Sequence, residues 1–251
     1  MCYTADMINS TFANKHAVVT GGANGIGRAI ALAFLREGAA VTIIDADDTA
    51  TPIDGAGFFH GDIADKTVLE DFVQSLTTPV DCLINNACIG RGGLLSSCSY
   101  EDFEYVQRVG VTAPYYLTRL LLDGGLLAAG ASIVNISSTR ARQSQANTEA
   151  YSAAKGGIDA LTHAMAVSLA GKARVNAISP GWIDTTGSTF GGADAAQHPA
   201  GRVGVPADIA EMVLFLCGDK AGFITGENIT IDGGMSGLMI YHNDHGWRLQ
   251  G

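Results

Sequence analysis

The sequence predicts an α/β protein built as one doubly wound domain, with a seven-stranded, mostly parallel sheet and helices on both faces. Short runs of apolar and β-branched residues alternate with amphipathic stretches of helical length from end to end. No internal repeat is visible, and no linker rich in proline, serine or charge divides the 251 residues. Since α/β chains of this length often fold as one unit, we expect a single domain over 15–251.

Each element has a local reason in the sequence. The strand segments are apolar runs such as HAVVT and AVTIID, and they lie at 16–20, 40–45, 58–60, 80–85, 132–137, 174–179 and 228–231. The helical segments repeat apolar residues every three or four positions, as Val68, Phe72 and Leu76 do, and they lie at 26–36, 65–76, 100–122, 149–170 and 207–216. Asp65 has the side chain and the position of an N-cap.

Two segments follow neither pattern. Residues 1–14 are predicted to be a loose N-terminal leader. Residues 181–206 form the longest irregular stretch between predicted elements. Because long loops inside compact domains are commonly lids or binding loops, we expect this stretch to cover the active site, and a poorly ordered connection is the alternative.

Composition excludes several classes of protein. A net charge of −10 repels phosphate backbones and anionic lipid surfaces, so neither nucleic acid nor a membrane is expected as a partner. No signal-peptide pattern is present, and the most apolar region, 120–136, is too short for a membrane span. The five cysteines are an odd number without a C-x-x-C pair, which argues against a disulfide framework or zinc site and predicts a cytoplasmic protein.

A glycine-rich turn follows the first strand. The segment TGGANGIG places glycines at 21, 22, 25 and 27 directly before a helix. Such a turn lets the backbone approach a pyrophosphate, and the helix N-terminus offers free N–H groups. The spacing is not G-x-G-x-x-G, so an ordinary glycine turn is the alternative.

Asp45 ends the second strand and bears on the choice of cofactor. A carboxylate here accepts hydrogen bonds from the adenosine ribose hydroxyls and repels a 2′-phosphate. Ala46, Asp47 and Asp48 follow it, and Asn24 lies inside the glycine turn, so no basic residue adjoins these positions in sequence. NAD is therefore predicted rather than NADP.

Residues 151–155 read YSAAK within a predicted helix. Positions four apart share a helix face, so the ammonium of Lys155 can lie close to the hydroxyl of Tyr151. A cation beside a phenol favours its ionised form, although this spacing also recurs by chance on solvated helices.

Taken in order, TGGANGIG, Asp62-Ile63, Asn85-Asn86-Ala87, Ser138, YSAAK and Pro180-Gly181 resemble the motifs of the short-chain dehydrogenase/reductase family. The resemblance covers 15–235. It implies a Rossmann-type domain, a nicotinamide cofactor and a homotetramer or homodimer. It also implies hydride transfer between a secondary alcohol and the nicotinamide.

The resemblance assigns roles to matching positions. Tyr151 would be the general acid/base, Ser138 would hold the reacting oxygen, and Lys155 would favour the phenolate and hold the nicotinamide ribose. The implied cofactor-binding residues are Gly21, Asn24, Gly25, Ile26, Gly27, Asp45, Asp62, Ile63, Asn86, Ala87, Tyr151, Lys155, Pro180, Gly181, Ile183 and Thr185. The expected cofactor is NAD.

Two positions depart from the family pattern. Gly110 stands where the family usually has an asparagine that supports a water relay to the lysine, and we expect a water in the vacated volume. A weakened enzyme is the alternative. Cys88 stands where glycine commonly follows Asn-Asn-Ala, and it is expected to be an inert packing residue.

The candidate substrate residues are Arg140, Gln145 and Trp182. Arg140 lies two residues after Ser138 and can hold a carboxylate through two hydrogen bonds, which favours a hydroxy acid or sugar acid. A surface salt bridge is the alternative. The C-terminal HNDH segment has the spacing of metal ligands, but we expect surface or subunit-contact residues and predict no metal site.

Three functions stay open. An NAD-dependent dehydrogenase of secondary alcohols, including polyols, sugars and hydroxy acids, agrees with Asp45. An NADP-linked carbonyl or 3-oxoacyl reductase has the same motifs but a different cofactor. An NAD-binding sensor or scaffold with weak catalysis has its only support in Gly110.

Overall fold

The computed structural model describes residues 11–241 and 243–246, and its centre is a seven-stranded sheet. The strands are β1 (His16–Thr20), β2 (Ala40–Asp45), β3 (Ala56–His60), β4 (Val80–Asn85), β5 (Leu127–Ile136), β6 (Ala173–Pro180) and β7 (Asn228–Ile231). Their order is β3-β2-β1-β4-β5-β6-β7, and every pairing between them is parallel. The predicted fold class is confirmed.

Seven α-helices connect the strands in the described part of the chain. They are α1 (Gly25–Arg36), α2 (Lys66–Ser75), α3 (Tyr100–Gln107), α4 (Ala113–Asp123), α5 (Glu149–Ser168), α6 (Ala193–Ala196) and α7 (Pro206–Cys217). Asp65 caps α2 as predicted, since its Oδ1 accepts a hydrogen bond of 2.8 Å from the Thr67 amide. No helix among the described residues is long and apolar enough to cross a bilayer.

Two elements differ from the sequence prediction by more than the one or two residues seen at other element ends. β5 begins at Leu127, five residues before the predicted start at 132, because Leu127 pairs with Val80 across an irregular register. The predicted helix 100–122 is divided by a π-helical segment, Arg108–Thr112, between α3 and α4. A π-helical turn inside a helix is typical of functional sites.

The N-terminal boundary also moves. Phe12, which the prediction places in the loose leader, is 4% exposed, and its ring meets the ring of Phe34 edge-on at 5.1 Å. Its amide donates to the carbonyl of Glu37. Residues 11–14 therefore belong to the folded unit, because an aromatic side chain this well buried contributes to the core. Residues 1–10 lie outside the described residues.

The two faces of the sheet carry separate cores. One packs α1 and α7 on the sheet through Ile30, Phe34 and Val213, and the other packs α2, α4 and α5 through Phe72, Leu117 and Met165. The strand order reverses between β1 and β4, which are neighbours in the sheet. In an open parallel sheet the carboxyl ends of the strands at such a reversal border a crevice, and this is where ligands bind.

Candidate active site

The glycine turn after β1 fits a pyrophosphate. Gly21 has φ +63° and its amide donates to the carbonyl of Ile44 at 2.8 Å. A Cβ on Gly27 would lie 2.1 Å from the Gly21 carbonyl oxygen, so only glycine allows α1 to start this close to the turn. Asn24, at the N-cap of α1, makes no side-chain cap. The first amides of α1 are left available for an anion.

Asp45 closes this turn from the end of β2. Its carboxylate accepts hydrogen bonds from the amides of Ala23 at 2.8 Å and Asp47 at 3.0 Å. Asp47 is itself anionic, since hydrogen bonds from the Thr49 hydroxyl and amide and from Asn24 lower its pKa. Of these two carboxylates, Asp45 lines the crevice and Asp47 does not.

One cation near the turn was not foreseen from the sequence. Arg28, on the first turns of α1, donates through Nη1 to the carbonyls of Ala23 at 3.3 Å and Thr51 at 2.6 Å. Its guanidinium is thus held by backbone oxygens and does not line the crevice. The contact with Thr51 depends on the loop after β2, so the sequence around Asp45 gave no indication of it.

Asp62 lies at the far wall of the crevice together with a residue that sequence reasoning missed. The Tyr105 hydroxyl donates to Asp62 Oδ2 at 2.8 Å, and the Ala64 amide donates to Oδ1 at 2.9 Å. Burial, reinforced by the Asp62 carboxylate, raises the pKa of Tyr105, so this phenol stays a donor. The Arg91 guanidinium lies 5.3 Å from the centre of the Tyr105 ring. Tyr105 is 43 residues from Asp62, so no local pattern links the two.

The three candidate catalytic residues come from the end of β5 and from α5. Lys155 is 4% exposed, and its Nζ donates to the Ile136 carbonyl at 2.6 Å and lies 5.4 Å from the centre of the Tyr151 ring. The Ser138 Oγ accepts the Arg140 amide at 3.1 Å. Ser137, missed in the sequence, donates to the Lys155 carbonyl at 3.1 Å and ties β5 to α5.

These residues border a cavity of about 500 Å³ that runs over the carboxyl ends of the strands. All of the predicted cofactor-binding residues line it except Gly25, where a Cβ would lie 3.2 Å from the Thr185 Cγ2. Ser138, Tyr151 and Lys155 line the same cavity. Lining residues that the sequence did not predict to bind the cofactor are Ile44, Ala46, Gly61, Cys88, Ile89, Tyr105, Val109, Ile136 and Ser137.

A second cavity of about 570 Å³ adjoins the first and shares Ser138, Tyr151, Gly181 and Ile183 with it. The predicted substrate residues Arg140, Gln145 and Trp182 all line it. The other lining residues are Thr139, Gln143, Ser144, Gln197 and Met235. Tyr151 thus lies where the two cavities meet, so a cofactor in one and a substrate in the other would both contact it.

The irregular segment 181–206 forms part of both cavities. Trp182 and Gln197 line the second cavity, and Thr185 lines the first. The Trp182 ring meets the Phe190 ring edge-on at 4.8 Å. The segment contains the short helix α6, and a parallel bridge between Ile183 and Gly204 closes its base. Its position agrees with the cover predicted from the sequence.

The structure corrects the expectation of a water beside Gly110. A Cβ on this residue would lie 2.9 Å from the Ala154 Cβ and 3.6 Å from the Cys88 Sγ. The π-helical segment and α5 therefore touch at this point, and no vacated volume adjoins the Gly110 Cα. Cys88 packs at the edge of this contact.

The C-terminal HNDH segment lies only partly within the described residues. His242 and the side chain of His245 lie outside the described residues. The Asp244 carboxylate accepts the Tyr241 amide at 3.0 Å. Within the described residues, no group of three His, Cys, Asp or Glu side chains is arranged to hold a metal ion.

Comparison with known proteins gives consistent matches. A family model described as enoyl-(acyl carrier protein) reductase matches residues 21–236. An uncharacterized oxidoreductase of Thermotoga maritima is 42% identical and covers 90% of this chain and 98% of its own length. A 3-oxoacyl-(acyl-carrier-protein) reductase of Chlamydia pneumoniae is 31% identical, with coverage of 90% and 98%.

Solved structures with the same architecture differ in cofactor. An apo SCOR enzyme from Clostridium thermocellum is 47% identical, with a TM-score of 0.86 and coverage of 94% of this chain and 99% of that chain. A 3-ketoacyl-(acyl-carrier-protein) reductase from Brucella melitensis is 31% identical, with a TM-score of 0.79 and coverage of 89% of this chain and 99% of that chain. That structure is a complex with NADH. A protein from Beutenbergia cavernae, provisionally described as an NAD(P) dependent gluconate 5-dehydrogenase, is 30% identical. Its TM-score is 0.78, the match covers 92% of this chain and 100% of that chain, and that structure has bound NADP.

The ordered motifs, the seven-stranded sheet and these matches agree with one another. The chain belongs to the short-chain dehydrogenase/reductase family of oxidoreductases, whose members use a nicotinamide cofactor.

Proposed function

We propose that this protein is an NAD-dependent dehydrogenase that oxidises a secondary alcohol, with Tyr151 as the general base. The observation that carries the proposal is the position of Tyr151 at the junction of two cavities, with Lys155 Nζ 5.4 Å from its ring centre. One cavity has the features of a dinucleotide site, and the other is open to a small molecule.

The residues of the first cavity would hold NAD along its length. The glycine turn and the start of α1 would bind the pyrophosphate, and Asp45 would bind the adenosine ribose. Asp62 and Ile63 would flank the adenine. Lys155 would hold the nicotinamide ribose, and Ile183 and Thr185 would contact the carboxamide. Bound NAD supplies the hydride acceptor at C4 of its nicotinamide.

The protein groups then manage the proton. In the oxidative direction the Tyr151 phenolate takes the proton of the alcohol, while the Ser138 hydroxyl donates to the same oxygen. The ammonium of Lys155 lies 5.4 Å from the centre of the Tyr151 ring. Because Lys155 is buried and donates to the Ile136 carbonyl, its ammonium is held in one place. In the reductive direction the same proton transfers run in reverse.

The choice of NAD rests on Asp45. Its carboxylate lines the cavity beside the glycine turn, and its negative charge opposes a 2′-phosphate. The second candidate is an NADP-linked carbonyl or 3-oxoacyl reductase. Arg28 beside the Ala23 carbonyl favours it, because a rearranged guanidinium at this place can bind a phosphate. A catalytically weak sensor has less support, since Ser138, Tyr151 and Lys155 all border the cavity.

Location and assembly complete the proposal. The cysteines at 82, 88, 98 and 217 are free thiols, which suits the reducing cytoplasm. A homotetramer or homodimer is proposed from the family. Exposed apolar residues at the C-terminal end, Leu238, Met239 and Tyr241, are available for contact with another copy.

The test is NADH formation, followed by absorbance, across a panel of secondary alcohols, polyols, sugars, sugar acids and hydroxy acids, with NADP in parallel. Tyr151→Phe is the control, because it removes the proton-accepting oxygen and keeps the ring. Turnover with NAD that disappears in this variant supports the proposal. Turnover with NADP alone supports the reductase, and tight NAD binding without turnover of any alcohol contradicts the proposal.

A further inference from the structure

The second cavity has a distinctive charge. Of its described lining residues, Arg140 is the one charged side chain, in a protein whose net charge is −10. Among the residues that the structure describes, no Asp, Glu, Lys or His lines this cavity. A lone cation in an otherwise acidic protein attracts an anion into the space next to Tyr151.

Arg140 is held in place on the wall of this cavity. It lies in a single 3-10 turn, Thr139–Ala141, whose N-cap is Ser138, and its amide donates to the Ser138 Oγ at 3.1 Å. Its Nη2 donates to the Gln145 Oε1. The guanidinium carbon lies 5.8 Å from the centre of the Tyr151 ring. The cation and the candidate general base therefore face the same small volume.

The guanidinium also keeps donors that the protein does not use. The sequence also allows a surface salt bridge at Arg140, but within the described residues no carboxylate lies within 4.0 Å of its guanidinium. Gln145 takes one donor through a neutral oxygen and leaves the positive charge unneutralised. A guanidinium has five N–H donors in a fork that matches a carboxylate.

We propose that the substrate is a hydroxy acid whose carboxylate binds to Arg140, with Gln145 as the positioning residue that orients the guanidinium. This deepens the proposed function and rests on it. In the reaction the carbinol carbon loses a hydride to the nicotinamide and the hydroxyl loses its proton to Tyr151. The carboxylate is unchanged. It fixes which hydroxyl lies against Ser138 and Tyr151.

The remaining lining residues indicate a hydroxylated chain. Gln143, Ser144 and Gln197 bring amide and hydroxyl groups to the cavity wall, and Trp182 brings a flat apolar surface. Such groups suit the hydroxyls and the C–H face of a sugar acid, whereas a long acyl chain needs a mainly apolar wall. The substrate class is therefore a polyhydroxylated acid of the aldonate type.

The test compares D-gluconate with D-glucitol, which share a carbon chain and differ in the carboxylate, together with shorter aldonates. In Arg140→Gln we expect kcat/KM for the aldonates to fall about tenfold or more, mainly through KM, because a charge-assisted fork is lost. Glucitol has no carboxylate for the fork, so its kcat/KM should fall less in this variant than that of the aldonates, and the ratio of the two should fall.

Three further variants make the result specific. Arg142→Gln is the matched control, because Arg142 is exposed, lies two residues away and does not line the cavity. Arg140→Lys keeps a positive point charge but not the fork of donors, so it should retain part of the preference for acids that Arg140→Gln loses. Gln145→Glu should neutralise Arg140 with a carboxylate, and so raise KM for aldonates while glucitol is less affected.

Binding of D-gluconate to the enzyme–NADH complex, measured by calorimetry, gives a readout that does not need turnover. Loss of this binding in Arg140→Gln but not in Arg142→Gln supports the inference. Equal losses for gluconate and glucitol, or gluconate that neither binds nor reacts, overturn it. If another alcohol still reduces NAD in that case, the proposed function stands, whereas absence of any NAD-linked turnover rejects both.

Discussion

Replacing Gly110 tests the contact between the π-helical segment and α5. A Cβ at this position would lie 2.9 Å from the Ala154 Cβ, inside the distance that real Cβ atoms adopt. Gly156, on α5, is the matched control, because a Cβ there would meet only the Ala141 carbonyl oxygen at 3.9 Å. Both positions are helical with negative φ, so alanine is permitted by the backbone at each.

The two substitutions share one contribution to the free energy of unfolding and differ in a second. Replacing glycine by alanine inside a helix stabilises by about 1 kcal/mol at either site. Overpacking a tight contact costs about 1–3 kcal/mol, and only Gly110→Ala incurs it. The free energy of unfolding should therefore be lower in Gly110→Ala than in Gly156→Ala by about 1–3 kcal/mol, which corresponds to a few degrees in Tm for a chain of this size.

Urea unfolding of the wild type and both variants measures this difference. Adding Ala154→Gly removes the methyl group that the new Cβ would strike, so the double variant Gly110→Ala/Ala154→Gly should lose less stability than the sum of the two single variants. Because Ala154 precedes Lys155, Gly110→Ala should also lower kcat. If Gly110→Ala is as stable as Gly156→Ala, the π-helical segment and α5 are not in close contact at Gly110.

Three further predictions concern the cofactor and the end of the irregular segment. Asp45→Asn should raise the ratio of kcat/KM for NADP to that for NAD, because the negative charge that opposes a 2′-phosphate is removed; an unchanged ratio would show that Asp45 does not select the cofactor. Tyr105→Phe removes the hydroxyl that donates to Asp62 Oδ2. The variant should weaken the binding of NADH more than that of the hypoxanthine analogue of NADH, which lacks the adenine amino group. Equal changes in the two dissociation constants, measured by nicotinamide fluorescence, would place Asp62 away from the base. Arg202 donates to both oxygens of Asp208 at 2.7 and 2.6 Å and, as the largest cause, lowers the pKa of that carboxyl. A carboxyl whose pKa is lowered by folding stabilises the folded state at pH values above its unfolded pKa, near ~3.9, and this stabilisation is lost as the pH falls through the folded pKa. Arg202→Gln should therefore lower the free energy of unfolding by up to about 1 kcal/mol at neutral pH and by much less in acid. If chemical unfolding gives the same loss at both pH values, the ion pair does not stabilise the fold.

Much of the fold could be predicted because its determinants are local. The strands HAVVT and AVTIID were located to the residue, since apolar runs between turn residues specify a buried parallel strand. Asp65 was recognised as an N-cap by the same kind of local chemistry. The start of β5 was missed because Leu127 is held by pairing with Val80, a partner 47 positions away that no local pattern reveals.

The candidate site divides in the same way. Gly21, Asp45 and the pair Tyr151 and Lys155 were identified because a turn, a strand end and a helix face impose fixed spacings. Tyr105 was missed, and the volume beside Gly110 was misjudged, because both depend on how α3 and the π-helical segment pack against other elements. Arg140 was found, but its lack of a carboxylate partner became visible only in the fold.

By itself, the sequence determined the α/β architecture, the family and the order of the motifs, because periodicity, turn chemistry and short motifs are written along the chain. Only the tertiary structure decided that Tyr151 lies between two cavities, that Arg140 is the charge in one of them, and that Gly110 is a point of close packing. These facts depend on distances between residues far apart in sequence. Such distances are set by packing and burial, which no single stretch of residues encodes.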